Sequence, residues 1–115
     1  MSDCIFCKIA NKEIPTQPVY EDDTVIAFND LEPQAPIHVL IIPKKHIANL
    51  LATTAEDKAV LAHITCDVIP MLAKQLNIAE SGFRTVANTG VEGGQTVQHL
   101  HFHLLGGRSM QWPPG

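Results

Sequence analysis

Residues 98–108 read QHLHFHLLGGR, so that His99, His101 and His103 fall on alternate positions and carry half of the chain's six histidines. Successive side chains of an extended strand point to opposite faces. The three imidazoles therefore share one face, while Leu100, Phe102 and Leu104 fill the other. Alternation by itself requires only a half-buried strand. Histidine, however, has no particular strand preference, titrates near neutrality, binds metals and serves as nucleophile or general acid/base. Three on one face point to a metal site or to a reaction site for an anionic group.

The bulk properties bound the rest. At 115 residues the chain suits one domain, 1–115 with a tail over 109–115, burying roughly two thirds of its unfolded surface. Hydrophobic residues at 45% and charged residues at 17% are ordinary for a globular protein. A net charge of -4 opposes general nucleic-acid binding, which needs a basic surface to displace counterions. No apolar run is long enough for a membrane span, and the opening Met1-Ser-Asp-Cys lacks the basic and apolar regions of a signal peptide. Three cysteines, an odd count, fit a reducing compartment, and the expected location is cytoplasmic.

Cys4 and Cys7 form a C-x-x-C pair, which can be a redox dithiol, half of a tetrahedral zinc site or two small hydrophobes on one turn. A redox motif would follow a strand, and nothing strand-like precedes Cys4. Beyond Pro15 and Pro18, short strands at Val19–Glu21 and Thr24–Asn29 flank an acidic turn and suggest a hairpin. Residues 30–36 form a loop with two prolines, and Asp30, just past a strand end, stands where a sugar hydroxyl can be bound or a turn capped. Residues 38–43, HVLIIP, are nearly continuously apolar, as in a central strand covered on both faces.

Thr53 and Glu56 have capping-box spacing, predicting a helix from about Ala55 to Asn77 with Leu61, Ile64, Val68, Leu72 and Leu76 as its buried stripe. Pro70 inside it predicts a kink or local break. His63 and Cys66 read as packing or surface residues. Residues 83–88 predict a strand, and 89–96, TGVEGGQT, a glycine loop leading into the histidines. Its amides, with Gln95 and Thr96, would stand beside the imidazoles and hold phosphate oxygens.

These residues resemble the histidine triad (HIT) hydrolases, and within them the Hint branch of nucleoside phosphoramidases. His99, His101 and His103 with Leu104 and Leu105 match an H-φ-H-φ-H-φ-φ signature in which φ is apolar, and residues 28–36, 38–46, 93–99, 105–108 and 112–115 are similar too. The resemblance covers almost the whole chain. It implies an α+β fold: a five-stranded antiparallel sheet, one long helix and a short N-terminal helix, with two protomers joined so that their sheets run together.

It also implies a reaction. The substrate would be a purine nucleoside 5'-phosphoramidate, attacked at phosphorus by His101 to give a nucleotidyl-imidazole that water opens to AMP. His103 and loop donors including Gly94, Gln95 and Thr96 would hold phosphoryl oxygens. His38 would orient the nucleophile and pass a proton to the departing nitrogen. Asp30 would hold the ribose, with Phe6, Ile9, Phe28 and Leu31 as a cleft for the base. Asn88 would lie near the phosphate, and Trp112 would reach the neighbouring protomer's site.

Two features depart from the branch pattern. Thr96 stands where many Hint proteins have serine. The C-x-x-C pair is similar to that of HIT relatives holding structural zinc, here through Cys4, Cys7, His46 and His99. Other readings of the same residues are a three-imidazole catalytic metal site, a nucleotidyltransferase of the galactose-1-phosphate uridylyltransferase type, whose H-x-H-x-Q lacks the third histidine, and a nucleotide-binding protein with vestigial catalysis.

Overall fold

The computed structural model describes residues 3–115; Met1 and Ser2, the start of the opening read as lacking a leader, lie outside them. Strands β1 (Pro18–Glu21), β2 (Val25–Asn29), β3 (Ile37–Pro43), β4 (Phe83–Val86) and β5 (Phe102–Gly106) make one antiparallel sheet in the order β1-β2-β3-β5-β4. The predicted hairpin is β1–β2. Its turn is built by Asp22, whose Oδ1 accepts from the amides of Thr24 and Val25, both at 2.9 Å.

Strand β3 runs between β2 and β5, which explains its unbroken apolar run: both faces are covered. Val39 and Ile41 join Val25, Ala27 and Leu104 beneath the long helical segment. Leu40 and Ile42 join Ile26 and Phe28 against Phe6, Ile9 and Ala10 of the short helix α1 (Ile5–Ala10). The sheet is thus packed between a long helix on one side and a short one on the other. No helix among the described residues is long and apolar enough to cross a membrane.

The long helical segment spans 55–75, and its cap lies one residue later than predicted. The Thr53 hydroxyl donates to the Leu50 carbonyl at 2.8 Å, and it is the Thr54 amide that donates to Asp57 Oδ2 at 2.9 Å. The capping pair is Thr54 with Asp57, not Thr53 with Glu56. Asp57 is buried and also accepts from Lys45 Nζ, just past the end of β3, at 2.7 Å, whereas Glu56 is exposed and stands 3.8 Å from the same Nζ.

Pro70 acts upstream of itself. A single 3-10 turn (Ala55–Asp57) and α2 (Lys58–Ala62) lead into a π-helical stretch (His63–Val68), before α3 (Ile69–Gln75) resumes with Pro70 in its first turn. Proline lacks the amide that would bond the carbonyl four residues back, and a widened turn accommodates its ring. The widening shifts the helix phase. Val60 takes the core position predicted for Leu61, while Ile64, Val68, Leu72 and Leu76 pack as expected with Ile69 and Ala73 added.

His63, read as a packing or surface residue, faces two carboxylates. Its Nε2 lies 2.7 Å from Asp22 Oδ2 and its Nδ1 2.8 Å from Asp67 Oδ2. The bond to Asp22, then that to Asp67, holds the imidazole above its ordinary pKa. Burial opposes ionisation of Asp22, but bonds from Tyr20, His63 and the amides of Thr24 and Val25 outweigh it and hold the carboxyl well below the usual range.

The His63 charge ties the β1–β2 turn to the helix. Because its folded pKa is raised, its stabilisation is complete below about pH 6.5 and is lost as pH rises through the folded value. His63→Gln should therefore weaken resistance to urea at about pH 6 and have a smaller effect at about pH 9; equal losses at both would contradict the linkage. Leu72→Ala, at a fully buried helix position, should lower unfolding stability by about 2–5 kcal/mol in the same titration.

Candidate active site and metal centre

The histidine run enters the sheet later than its pattern predicts. Only His103 lies in β5, paired with Leu40 of β3, whereas His99 ends a bend and His101 stands in the irregular residues just before the strand. The predicted sharing of a face survives. The His101 and His103 rings have centroids 5.1 Å apart, and the Phe6 ring packs edge-on against His101 at 5.1 Å and His99 at 6.0 Å.

The hydrogen bonds assign each tautomer. The Gln34 amide donates to His38 Nδ1 at 3.0 Å, so neutral His38 carries its proton on Nε2. That nitrogen lies 2.9 Å from His103 Nδ1 and 3.4 Å from Asp30 Oδ2. His103 Nδ1 is then an acceptor, and its own proton sits on Nε2. Desolvation first, then the nearby His101 and His38 rings, push the His103 pKa down to about 4, so it is neutral at pH 7.

His101 is oriented the opposite way. Its Nδ1–H donates to the His99 carbonyl at 2.7 Å, which leaves Nε2 with a free lone pair. His99 itself is fully buried, and its Nε2–H donates to the Pro43 carbonyl at 2.8 Å. Burial, the largest influence, lowers the His99 pKa and keeps the ring neutral.

The free Nδ1 of His99 lies 3.3 Å from Cys4 Sγ and 3.5 Å from Cys7 Sγ, and His46 Nδ1 lies 3.2 Å from Cys7 Sγ. The four donor atoms all lie within 4.8 Å of one another. Around a tetrahedral ion with ordinary zinc–ligand bonds, neighbouring sulfur and nitrogen atoms stand about 3.5 Å apart. Two thiols and two imidazoles at this spacing suit a thiophilic divalent cation.

Asp30, His38 and His103 also bring three donor atoms within 4.8 Å. Their chemistry does not suit a metal. With Nδ1 occupied by the Gln34 amide, His38 could offer Nε2 to an ion only as an imidazolate, and a shared proton with His103 accounts for the contact.

Other expected residues take more varied places. His38, expected to orient the nucleophile, has His103 and Asp30 as ring partners. Asp30 Oδ1 also accepts from the Glu32 amide at 2.8 Å. Phe6, Ile9 and Phe28 are buried in the core under α1, and Leu31 is 97% exposed. Thr96 is exposed and lines a surface depression with Cys4 and His46. Trp112 is 81% exposed in the tail.

The glycine loop corrects its expectation. The Gly94 and Gln95 amides, expected to face a phosphate, donate within the loop to the Val91 and Gly90 carbonyls at 3.1 and 3.0 Å. Gln95 Nε2 donates to the Ala48 and Val97 carbonyls, and its Oε1 accepts from the Gly90 amide at 3.0 Å, which makes this buried side chain a strut of the loop. Asn88 Nδ2 donates to the Gly93 carbonyl at 2.6 Å. A Cβ on Gly93 would stand 2.2 Å from the Thr89 carbonyl oxygen, so no side chain fits there.

Two participants had no signal in the sequence: the Gln34 amide and the Pro43 carbonyl, backbone groups that fix His38 and His99. A family model described as "Scavenger mRNA decapping enzyme C-term binding" matches residues 3–112. A HIT-like protein of Synechococcus elongatus is 58% identical over 98% of this chain and 97% of its own length. The crystal structure of a HIT family hydrolase from Legionella pneumophila Philadelphia 1 superposes with a TM-score of 0.95, at 50% identity over 98% of this chain and 100% of that one. A histidine triad protein from Clostridium difficile gives 0.91 at 49% identity, covering 96% of both chains. Likeness over nearly the whole chain places it in the histidine triad family.

Proposed function

We propose that the protein is a hydrolase of the Hint type, cleaving the P–N bond of purine nucleoside 5'-phosphoramidates in the cytoplasm. The observation that carries this reading is the His101 tautomer: with Nδ1–H bonded to the His99 carbonyl, the Nε2 lone pair is ready to attack phosphorus. The N–P bond to His101 forms as the bond to the amine breaks, and the amine leaves with a proton. Water then adds to phosphorus, giving AMP and restoring the imidazole. His103, neutral and carrying its proton on Nε2, donates a hydrogen bond to a phosphoryl oxygen, while the departing nitrogen takes its proton from solvent and the water that opens the intermediate returns one. His38 holds His103 in that tautomer, with Asp30 beside it.

Thr96 adds a hydroxyl to the phosphate, Asn88 and the Gly94 turn shape the loop beside it, and Asp30 takes the ribose. Leu31, with the edges of Phe6, Ile9 and Phe28, meets the base. Zinc held by Cys4, Cys7, His46 and His99 would tie α1 to the histidine run as a structural ion. Strand β4, at the end of the sheet with Phe83 exposed, supplies the edge at which a second protomer continues it. The Trp112 tail then reaches that protomer's site.

Hydrolysis of a fluorogenic adenosine phosphoramidate tests the reading. His101→Ala should lower turnover by about 1,000-fold or more while AMP binding persists; near-normal turnover would refute it. Metal analysis should find about one zinc per chain. Cys7→Ser should lose the metal and lower the melting temperature, yet leave measurable turnover, because the ion does no chemistry; complete dependence of turnover on zinc would favour a metallohydrolase.

A further inference from the structure

The His38 tautomer depends on one backbone amide, that of Gln34, in the loop over residues 30–36. The opposite side of Gln34 is also held. Arg108 Nε and Nη2 donate to the Gln34 carbonyl at 3.1 and 3.0 Å, and Nη1 donates to the Ser109 carbonyl at 3.1 Å. The planar guanidinium thus clamps one carbonyl with two donors and that of the following residue, Ser109, with a third.

The residue before it closes the same contact. Gly107 has φ +92, and a Cβ there would stand 2.9 Å from Pro36 Cβ. Only a residue without a side chain lets the end of β5 lie this close to the loop. Gly107 and Arg108 therefore fasten residues 34–36 at two points immediately after the strand that carries His103. The same stretch of chain that presents His103 fixes the amide that decides which nitrogen of His38 faces it.

We infer that Arg108 is a positioning residue for the His38–His103 pair, acting through the Gln34 backbone to keep the His38 proton on Nε2. Its catalytic consequence rests on the phosphoramidase reading; the tautomer does not. When the clamp is removed the Gln34 amide drifts, His38 Nδ1 loses its donor, and the two nitrogens compete for one proton. His103 then loses the partner that keeps its own proton on Nε2.

The test reads both levels in Arg108→Ala and Arg108→Lys. Long-range proton–nitrogen NMR of histidine-labelled protein should show an unprotonated Nδ1 on His38 in the wild type and exchange averaging between the two nitrogens in Arg108→Ala. Arg108→Lys, which keeps the charge and loses the fork, should fall between. With adenosine phosphoramidate, kcat should drop about ten-fold in Arg108→Ala with KM nearly unchanged. Gly107→Ala, which displaces Pro36 instead, should give the same His38 signature if the loop is the link. A His38 signal unaltered in Arg108→Ala overturns the inference even if the wild type is an active phosphoramidase. Wild-type protein that hydrolyses no phosphoramidate sinks the functional reading and leaves the NMR result to decide on Arg108.

Discussion

The bond from His101 Nδ1 to the His99 carbonyl is the constraint on which the site depends. It exists because β5 begins only at Phe102. A carbonyl inside an antiparallel ladder is directed toward the neighbouring strand; before the ladder starts, that of His99 is available to a side chain. The same residue turns its ring the other way, donating to Pro43 and presenting Nδ1 to the two cysteines. One residue thereby connects the N-terminal helix, the end of β3 and the His101 imidazole.

Charge explains why the histidines are arranged as neutral donors and acceptors in series. The His103 ring lies about 5 Å from both the His38 and the His101 ring, and charges at that spacing disfavour one another. Burial settles the matter for His99 and His103. A neutral imidazole with a fixed proton can both donate and accept, which suits a phosphoryl group better than a cluster of mutually repelling cations. The half-buried His63 illustrates the other regime: two carboxylates raise its pKa, and it serves as an ionic tie between turn and helix.

Much of this was legible in the residues. The alternating histidines led into one strand and the apolar run marked another, though not that the two would pair, and proline at 70 marked the irregular helix. The four donors of the candidate metal centre came from the resemblance and meet in space. What the sequence could not show was carried by backbone groups or by small shifts of register. Thr54 displaced Thr53 as the cap because buried Asp57 accepts from both the Thr54 amide and Lys45 Nζ, whereas Glu56 lies at the surface, 3.8 Å from the same Nζ. Gln95 and the loop amides look like ligands for phosphate, and only the folded loop reveals that they bond to one another. The tautomers rest on Gln34, His99 and Pro43 main-chain atoms, which any side chain would supply equally well.

The π-helical stretch ahead of Pro70 constrains the length of the chain. Each residue added to a helix rotates the downstream turns by about 100°, and the widened turn already absorbs one such step to keep Val60 and Leu72 against the same sheet. The segment therefore has a fixed residue count: a one-residue deletion or insertion would swing half of its apolar side into solvent, whereas the surface loops on either side can vary without such a consequence.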